Sequence, residues 1–415
     1  MNIWLVKTGE PLPIRSGVRK MRTAILADKL LEGGHNVFWW TSAFNHQKKV
    51  MISSRDKNFD ISEKYTIRAL RGLKYKKHVS LTRYVDHQIV ALKFRFQAKK
   101  FSKPDIVVIS MPDHLLAYEA ARYAWKNGIP FLVDIRDLWP DIFLNRFKKK
   151  SWLFKLGKIA LAFDSARLIF LLKHANALVA VSQGYLNWGL DKIGRKKTSL
   201  DNVFYIGYKK SEPKSHAVIN GYSNIPIWLK GREKQLMFIF IGTFGISYEL
   251  ELILKAAKRF EKTGRTDICF ILAGTGEKFA LMSKRVARLS NIVLTGWIET
   301  DEIAVLLRLA YVGLIPCRSV ENTVSNKPFE YLSAGLPIIS SLEGEMVELI
   351  DQHRLGFNYL PGDLDGFCQC IERFASNLSL HDELSKNALG FFDSYGDANK
   401  IYNEYCRLIE RLVET

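Results

Sequence analysis

The chain has 415 residues, 47% of them hydrophobic and 25% charged, which is typical of an ordered globular protein and too long for one core. Its formal net charge of +19 is unevenly distributed. Residues 1–200 hold 37 Lys and Arg against 15 Asp and Glu, whereas residues 201–415 hold 24 against 27. A basic N-terminal half predicts an anionic partner: a membrane surface, a lipid phosphate or a nucleic acid.

No targeting or metal-binding pattern stands out. The N-terminus reads as a strand and a loop rather than a signal peptide, and no apolar run reaches the roughly 18 residues of a membrane-spanning helix. The five cysteines lack metal-ligand spacing. We therefore expect reduced thiols in a cytoplasmic protein, and no metal site.

Residues 1–41 predict a strand, a loop, a helix and a second strand, which is the βαβ opening of a doubly wound fold. The loop lacks the glycine spacing of a dinucleotide fingerprint. Gly17 precedes the predicted helix, and Arg19 lies at its start. A solvated helix start is the simplest interpretation of these cations.

Two later stretches interleave cations with apolar residues. Residues 75–103 do so at roughly helical spacing. Within residues 143–175, four cations precede Trp152, and they are Arg146, Lys148, Lys149 and Lys150. Basic amphipathic segments of this kind lie on membrane surfaces, although a helix packed on its sheet with a solvated charged face is the alternative.

Residues 105–111 and 131–135 are short apolar runs separated by a predicted helix. They predict parallel core strands with functional groups just past their carboxyl ends. The first run leads to His114, and the second leads to Arg136 and Asp137. His114 or Asp137 is placed for acid–base work or for a hydrogen bond to a substrate; a helix-start histidine and an N-capping aspartate are the alternatives.

The alternation of strands and helices resumes after a polar stretch at residues 209–234. Gly242 and Gly245 bracket a tight turn after an apolar strand, where the backbone can approach a phosphate. Gly274 lies in a similar turn after the next strand. Arg318 follows a later apolar run.

Residues 315–341 predict a strand, a polar loop, a short helix and another strand. Lys327 stands at the start of the helix, whose first N–H groups lack intrahelical partners and favour an anion. Glu330 lies one turn in, where its two oxygens suit a pair of vicinal hydroxyls. The stretch therefore predicts a nucleotide site, and a first-turn glutamate stabilised by the helix dipole is the alternative for Glu330.

The sequence FEYLSAGLP at residues 329–337 resembles the second half of the nucleotide-sugar signature of retaining GT-B glycosyltransferases of the family 4 type. Residues 10–49 and 134–140 are similar to the subfamily that builds bacterial O-antigen and capsule, of the fucosamine-transferase-like kind. The signature places two glutamates around a Ser/Asn-rich loop, and Glu330 matches the second. The usual spacing puts the first at Asn322, so either the loop carries one extra residue and Glu321 serves, or the first glutamate is absent.

This resemblance covers nearly the whole chain and implies an α/β fold of GT-B type. Two Rossmann-like domains would face a central cleft, with a C-terminal helix crossing back to the N-terminal domain. The implied N-terminal domain, residues 1–207, binds the acceptor and associates with a membrane, and residues 208–235 form the linker. Residues 236–396 bind the nucleotide sugar, and residues 397–415 form the returning helix.

The resemblance also implies residue roles. In such enzymes the first strand-to-helix loop approaches the diphosphate and the acceptor, and the base stacks near the positions of Trp297 and Ile298. The Arg and Lys that usually clamp the diphosphate after the first glycine turn are missing, so Lys327 with Arg318 is the expected substitute. The implied donor-binding residues are Glu330, Lys327, Arg318, Gly242, Gly245, Gly274, Trp297 and Ile298. The acceptor- or phosphate-binding residues are Gly17, Arg19 and Arg136, and the catalytic candidates are His114, Asp137 and Glu321.

The implied activity is metal-independent transfer of a hexosyl or N-acetylhexosaminyl group, with retention, from a nucleotide sugar that we expect to be UDP-linked. The implied acceptor is a polyprenyl-diphosphate-linked saccharide of surface polysaccharide assembly. No cofactor and no nucleic-acid partner are expected, and the protein would lie peripherally on the anionic inner face of the cell membrane.

Two other functions stay open at this point. One is a nucleotide-sugar epimerase of the same two-domain shape, which would not need a membrane-seeking half. The other is a nucleic-acid-binding protein that uses the basic N-terminal half, although the sequence contains no recognised binding motif.

Overall fold

The computed structural model describes residues 1–15, 18, 20–76, 80–141, 151–210, 229–232, 234–318 and 327–414. The chain divides into two compact units. The first consists of Met1–Tyr205 together with Lys400–Thr415, and the second is Ile206–Asn399.

The first unit is built on an eight-stranded sheet with the strand order β10-β9-β8-β7-β1-β2-β6-β5. Its strands are β1 (Asn2–Val6), β2 (Asn36–Ser42), β5 (Lys57–Ser62), β6 (Tyr65–Leu70), β7 (Ile106–Ser110), β8 (Phe131–Ile135), β9 (Ala177–Ala180) and β10 (Asn202–Val203), with a separate hairpin of β3 (Phe44–Asn45) and β4 (Val50–Met51). Its helices are α1 (Arg22–Glu32), α2 (Leu81–Gln97), α3 (His114–Lys126), α4 (Trp152–Ala160), α5 (Ala162–His174), α6 (Gln183–Ile193) and the last helix of the chain, α14 (Ala398–Glu414).

The central strands of this sheet are mostly apolar, as expected for a parallel sheet that helices cover on both faces. The polar residues Ser110 of β7 and Asp134 of β8 are exceptions. Every residue of β7 and β8 is buried. Only β5 runs antiparallel, as an edge strand on β6. The strand pattern of residues 44–70 was not predicted from the sequence, whereas α2 lies within the predicted helical stretch at residues 75–103.

The second unit is built on a six-stranded parallel sheet with the order β13-β12-β11-β14-β15-β16. Its strands are β11 (Leu236–Ile241), β12 (Ile268–Ala273), β13 (Ile292–Gly296), β14 (Val312–Ile315), β15 (Ile338–Ser340) and β16 (Gly356–Asn358). Its helices are α7 (Leu250–Lys262), α8 (Phe279–Val286), α9 (Thr300–Leu309), α10 (Lys327–Ser333), α11 (Glu345–His353), α12 (Leu364–Ala375) and α13 (Leu378–Phe391).

Each sheet has one place where the chain reverses its direction of winding. In the first unit the chain moves outward from β1 through β2 and then returns to place β7 on the other side of β1. In the second unit β11 and β14 are neighbours for the same reason. Loops on either side of such a point leave a crevice at the carboxyl ends of the strands, where α/β proteins bind ligands.

The predicted α/β class with parallel sheets is thus confirmed, and the C-terminal helix returns to the first unit as predicted.

Helix α14 is held in the first unit by aromatic contacts. Tyr405 stacks on Phe204, with ring centroids 4.7 Å apart. The guanidinium of Arg22 lies 5.8 Å from the ring of Tyr402 and 5.5 Å from that of Tyr405.

Candidate functional site

A half-buried lysine marks the point of reversal in the second unit. Lys327 begins helix α10, and its ammonium donates a hydrogen bond to the carbonyl of Ile241, the last residue of β11. The ammonium lies 4.3 Å from the ring centroid of Phe240 and 4.7 Å from that of Tyr248. The cation is therefore held between two aromatic faces at the end of the sheet.

This ammonium lacks a full set of partners. An ammonium has three N–H donors, and the Ile241 carbonyl is its one hydrogen-bond acceptor among the described residues. Desolvation lowers the pKa of Lys327 to about 8, although the nearby charge of Glu330 favours the protonated form. An anion placed here would supply acceptors for the remaining N–H donors.

Two glycines allow the strand-ending loops to approach this lysine. Gly242, with φ of 154°, lies so close that an added Cβ would be 1.9 Å from the Lys327 ammonium nitrogen. Gly274, with φ of 130°, faces the carbonyl oxygen of Gly242, which an added Cβ would approach to 2.0 Å. The N–H of Gly274 in turn donates to the carbonyl of Gly296 over 2.8 Å. Backbone groups after β11, β12 and β13 therefore lie side by side.

Helix α10 is fixed to both strands beside it through Tyr331. The buried hydroxyl of Tyr331 accepts from the N–H of Ile241 over 2.9 Å and lies 3.4 Å from the carbonyl oxygen of Leu314. Gly313 leaves room for the ring, since a Cβ there would come within 2.4 Å of it. This anchoring sets the position of Lys327 at the helix start and of the half-buried Glu330 one turn later.

The other predicted donor-binding residues occupy different positions around this end of the sheet. Arg318 is exposed, and its side chain lies 3.9 Å from the carboxylate of Glu249. Trp297 is 73% exposed just after β13, while Ile298 is buried. Gly245 has open space where a Cβ would stand. The predicted residues Glu321, Gly17 and Arg19 lie outside the described residues.

Sequence reasoning missed the segment that closes one side of this site. Tyr248 pairs with Cys317 in an isolated antiparallel bridge, and the N–H of Arg318 donates to the carbonyl of Ser247 over 3.0 Å. The N–H of Glu249 donates to the carbonyl of Pro316 over 2.8 Å. Tyr248 could have indicated this segment in the sequence, because it is an aromatic residue in the loop after β11, directly after the predicted phosphate turn.

The reversal point of the first unit also carries buried charges. The ammonium of Lys7, just after β1, donates to the carbonyl of Met111 over 2.7 Å, and the hydroxyl of Thr8 donates to Asp113 over 3.0 Å. Desolvation lowers the pKa of Lys7 to about 8. Burial alone would raise the pKa of Asp113, but the contact with His87 at 3.4 Å outweighs it and lowers that pKa to about 2.

His114 starts helix α3, and Asp113 caps this helix by accepting from the N–H of Leu116. The histidine ring is buried, and its Nε2 atom lies 3.3 Å from the carboxylate of Asp164. This separation has ion-pair length but lacks hydrogen-bond geometry. Asp137 is partly buried; desolvation raises its pKa, and its carboxylate accepts from the N–H of Leu138 over 2.8 Å.

Arg136, predicted to bind a phosphate or the acceptor, is instead engaged within the protein. Its side chain donates four hydrogen bonds, to Asp134, Glu10, Thr23 and Ser110. These partners leave it little capacity for a phosphate. The geometry supports a structural role for Arg136 behind the carboxyl end of β8.

Metal-ligating side chains do not gather in the part of the chain that the structure describes. No group of three or more His, Cys, Asp or Glu side chains there is arranged for a metal ion. Over the same residues, no helix combines the length and the apolar character needed to cross a bilayer.

Comparison with known proteins finds similarity within the second unit. Residues 235–377 match the family model for glycosyl transferases group 1. An uncharacterized glycosyltransferase of Methanocaldococcus jannaschii is 22% identical over 160 residues, which amount to 38% of this chain and 40% of that relative. These matches support the predicted glycosyltransferase domain in this part of the chain.

Several solved structures share the fold of the whole chain. The crystal structure of Anabaena HepE in complex with UDP has a TM-score of 0.64 at 13% identity and covers 99% of both chains. Sucrose-phosphate synthase from Thermosynechococcus elongatus has a TM-score of 0.67 at 14% identity, covering 99% of this chain and 98% of its own. An E. coli trehalose-6-phosphate structure bound with UDP-2-fluoro glucose reaches 0.68 at 14% identity, covering 100% and 99%. These similarities confirm the predicted GT-B fold class, while the individual site residues stay predictions.

Proposed function

We propose that this protein is a retaining glycosyltransferase that moves a hexosyl or N-acetylhexosaminyl group from a UDP-sugar to a polyprenyl-diphosphate-linked saccharide in the assembly of bacterial O-antigen or capsule. The observation that carries the donor half of this proposal is Lys327, a half-buried ammonium with one protein acceptor among the described residues, at the reversal point of the second sheet. The UDP-bound structure of similar fold supports the choice of nucleotide.

On the donor side, the diphosphate would take the place of the acceptors that Lys327 lacks. As the bond to the sugar breaks, negative charge grows on the leaving diphosphate, and a fixed cation in a desolvated setting stabilises that charge. Backbone groups at Gly242, Gly245 and Gly274 lie where a phosphate can approach. Glu330 would accept from the ribose hydroxyls, and the exposed ring of Trp297 would stack on the base, with Ile298 and Arg318 beside it.

On the acceptor side, His114 or Asp137 would hydrogen-bond a reacting hydroxyl or the donor sugar. Both follow strands that end near the reversal point of the first sheet. Retention by attack from the face of the departing diphosphate needs no nucleophilic carboxylate, in contrast to retaining glycosidases. The proposal therefore requires metal-independent electrostatic catalysis and no close carboxylate pair.

The lipid-linked acceptor is proposed from charge. The excess of 37 basic over 15 acidic residues in residues 1–200 favours a diphosphate at an anionic leaflet. The same excess favours a peripheral location on the inner face of the cell membrane.

The first test is a thermal-shift panel with UDP, GDP, ADP and CMP. A ligand at 100 times its dissociation constant stabilises a protein by about 2.7 kcal/mol, which is readily measured. We expect selective stabilisation by UDP. Stabilisation by none of the four would overturn the donor assignment.

Product analysis then separates the proposal from an epimerase. Incubation with UDP-sugars and a polyprenyl-diphosphate saccharide should give an extended lipid-linked product whose new linkage keeps the donor's anomeric configuration by NMR. Interconversion of the UDP-sugar without an acceptor would instead identify an epimerase.

UDP affinity is expected to depend on pH through Lys327. Its lowered pKa of about 8 means that the free protein loses this positive charge as pH rises through that value. Because the diphosphate prefers the charged form, the dissociation constant should rise by up to about tenfold per pH unit above pH 8. Calorimetric titrations across this range would measure the effect.

Lys327→Arg is the matched control, since arginine stays charged and should remove the dependence. In the unliganded protein, a rise in pH has the opposite effect and increases the free energy of unfolding. Loss of the proton relieves a desolvation penalty, so the contribution of Lys327 to stability should increase as pH rises from about 8 towards 10.5. A flat UDP affinity between pH 7 and 9.5 in the wild type would contradict this assignment.

A further inference from the structure

Helices α4 and α5 expose a row of large apolar side chains. Trp152, Leu156, Ile159 and Phe163 are respectively 71%, 54%, 71% and 82% exposed, and we call them the apolar stripe. Their spacing of four, three and four residues places them on one side of a helix. Single exposed apolar residues are ordinary, but a contiguous row of four marks an interaction surface.

The stripe is continuous although it spans two helices. The N–H of Leu161 donates to the carbonyl of Gly157 over 3.0 Å, and the N–H of Ser165 donates to the carbonyl of Leu161 over 2.8 Å. Helical hydrogen bonds therefore flank the junction. The opposite side of α5 is buried through Asp164, Leu168, Leu171 and Leu172.

The charges around the stripe indicate its partner. Residues 151–174 contain one carboxylate, and it belongs to Asp164, which is buried beside His114 and Arg167. The same segment contains the cations Lys155, Lys158, Arg167 and Lys173. Apolar residues with Trp and Phe among them, flanked by cations, are the composition of helices that lie in the interface of an anionic bilayer. At about 1.5 Å per residue the stripe is about 17 Å long, which suits lying in the interface.

We propose that the apolar stripe docks this protein on an anionic lipid bilayer and thereby sets the position of the lipid-linked acceptor. The second part rests on the function proposed above. Phe163, the most exposed member, directly precedes Asp164, whose carboxylate is 3.3 Å from Nε2 of His114. The hydroxyl of Tyr84 also donates to Asp164 over 3.1 Å, which ties the start of α2 to the same place. Asp164 therefore connects the proposed bilayer face with His114, the histidine proposed to contact the acceptor.

The test is co-sedimentation with vesicles of phosphatidylcholine alone or mixed with phosphatidylglycerol, at about 150 mM salt. The variants are Trp152→Ala, Ile159→Ala and Phe163→Ala, singly and combined. Their side chains are exposed, so thermal stability should not change. The matched control is Leu360→Ala with Leu378→Ala, which removes two apolar side chains that are 73% and 64% exposed on the second unit.

We expect the wild type to bind the anionic vesicles and each stripe substitution to weaken that binding about tenfold, as the loss of a buried apolar side chain predicts. Lys155→Glu should weaken it further and reduce its salt dependence. The Leu360 and Leu378 control should bind like the wild type. Equal binding by the stripe variants and the control, or no vesicle binding by the wild type, would overturn the proposal.

Two further readouts separate bilayer docking from dimerisation and from sugar transfer. A concentration-dependent dimer in light scattering that the stripe substitutions abolish would show that a second copy covers the stripe, and would also overturn the proposal. The stripe variants should keep UDP stabilisation and lose transfer only to vesicle-embedded acceptor. If the wild type binds vesicles but is not stabilised by UDP, the docking surface stands and the proposed transfer fails.

Discussion

Lys327→Met is expected to reduce the turnover of sugar transfer by about 100- to 1,000-fold, the usual cost of removing one preorganised electrostatic group from a transition state. Methionine keeps an unbranched stem between Phe240 and Tyr248 and removes the charge together with the hydrogen bond to the carbonyl of Ile241. The free protein should not be destabilised. Burial makes the charged form of Lys327 unfavourable, as its lowered pKa shows, and methionine removes that desolvation cost. The measurement is kcat and KM with a UDP-sugar and a lipid-linked acceptor.

The matched control is Lys258→Met, an exposed lysine of α7 in the same unit. It should leave both constants unchanged. Glu330→Ala is expected to raise KM for the donor more than it lowers kcat, since a ribose contact changes little during the reaction. A Lys327→Met enzyme with wild-type turnover would remove Lys327 from the mechanism.

Asp134→Ala is expected to destabilise the first unit by about 3–5 kcal/mol, because it leaves buried guanidinium groups without their countercharge. Asp134 is fully buried, 3.0 Å from the side chain of Arg22 and 2.8 Å from that of Arg136. These two arginines hold its pKa below the usual value although burial alone would raise it. Urea unfolding followed by tryptophan fluorescence reports on this unit, since Trp39 and Trp40 are buried in it.

Asp28→Ala serves as the control, because its ion pair with Lys20 lies on the surface of the same unit. Surface pairs contribute about 0–1 kcal/mol, so this variant should unfold almost like the wild type. If the two variants lose similar stability, the buried network does not hold the first unit together.

The local structure around Lys327 was largely predictable because its signals lie close together in the sequence. Lys327 and Glu330 share one turn of helix with a proline, and the structure begins α10 at Lys327 as the pattern predicts. Gly335, two residues past the end of this helix, has a left-handed φ of 73°, which suits glycine. A strand, a capped helix and a glycine are all visible within a few residues of sequence.

The carboxyl end of the first sheet was less predictable because its contacts join distant parts of the chain. Arg22 reads as one of several cations at a helix start, yet it is buried against Asp134, which is 112 positions away. Arg136 reads as a phosphate ligand because it follows a strand, and its partner Glu10 lies 126 positions away. No periodicity encodes such pairs. The basic amphipathic character of residues 143–175 was visible in the sequence, but the set of its apolar side chains that the fold leaves exposed was not, since an apolar residue in a helix usually belongs to the core.

The way the chain enters and leaves the second unit has a consequence for modular exchange. The N–H of Tyr208 donates to the carbonyl of Gly396 over 2.9 Å, and the N–H of Ala398 donates to the carbonyl of Tyr208 over 3.2 Å. The two passages of the chain are therefore hydrogen-bonded to each other, and the second unit is an insertion whose ends meet. The corresponding unit of another protein of this fold can therefore be grafted at this one place through two adjacent junctions. Under the function proposed above, such an exchange would change the donor specificity and keep the acceptor specificity of the first unit.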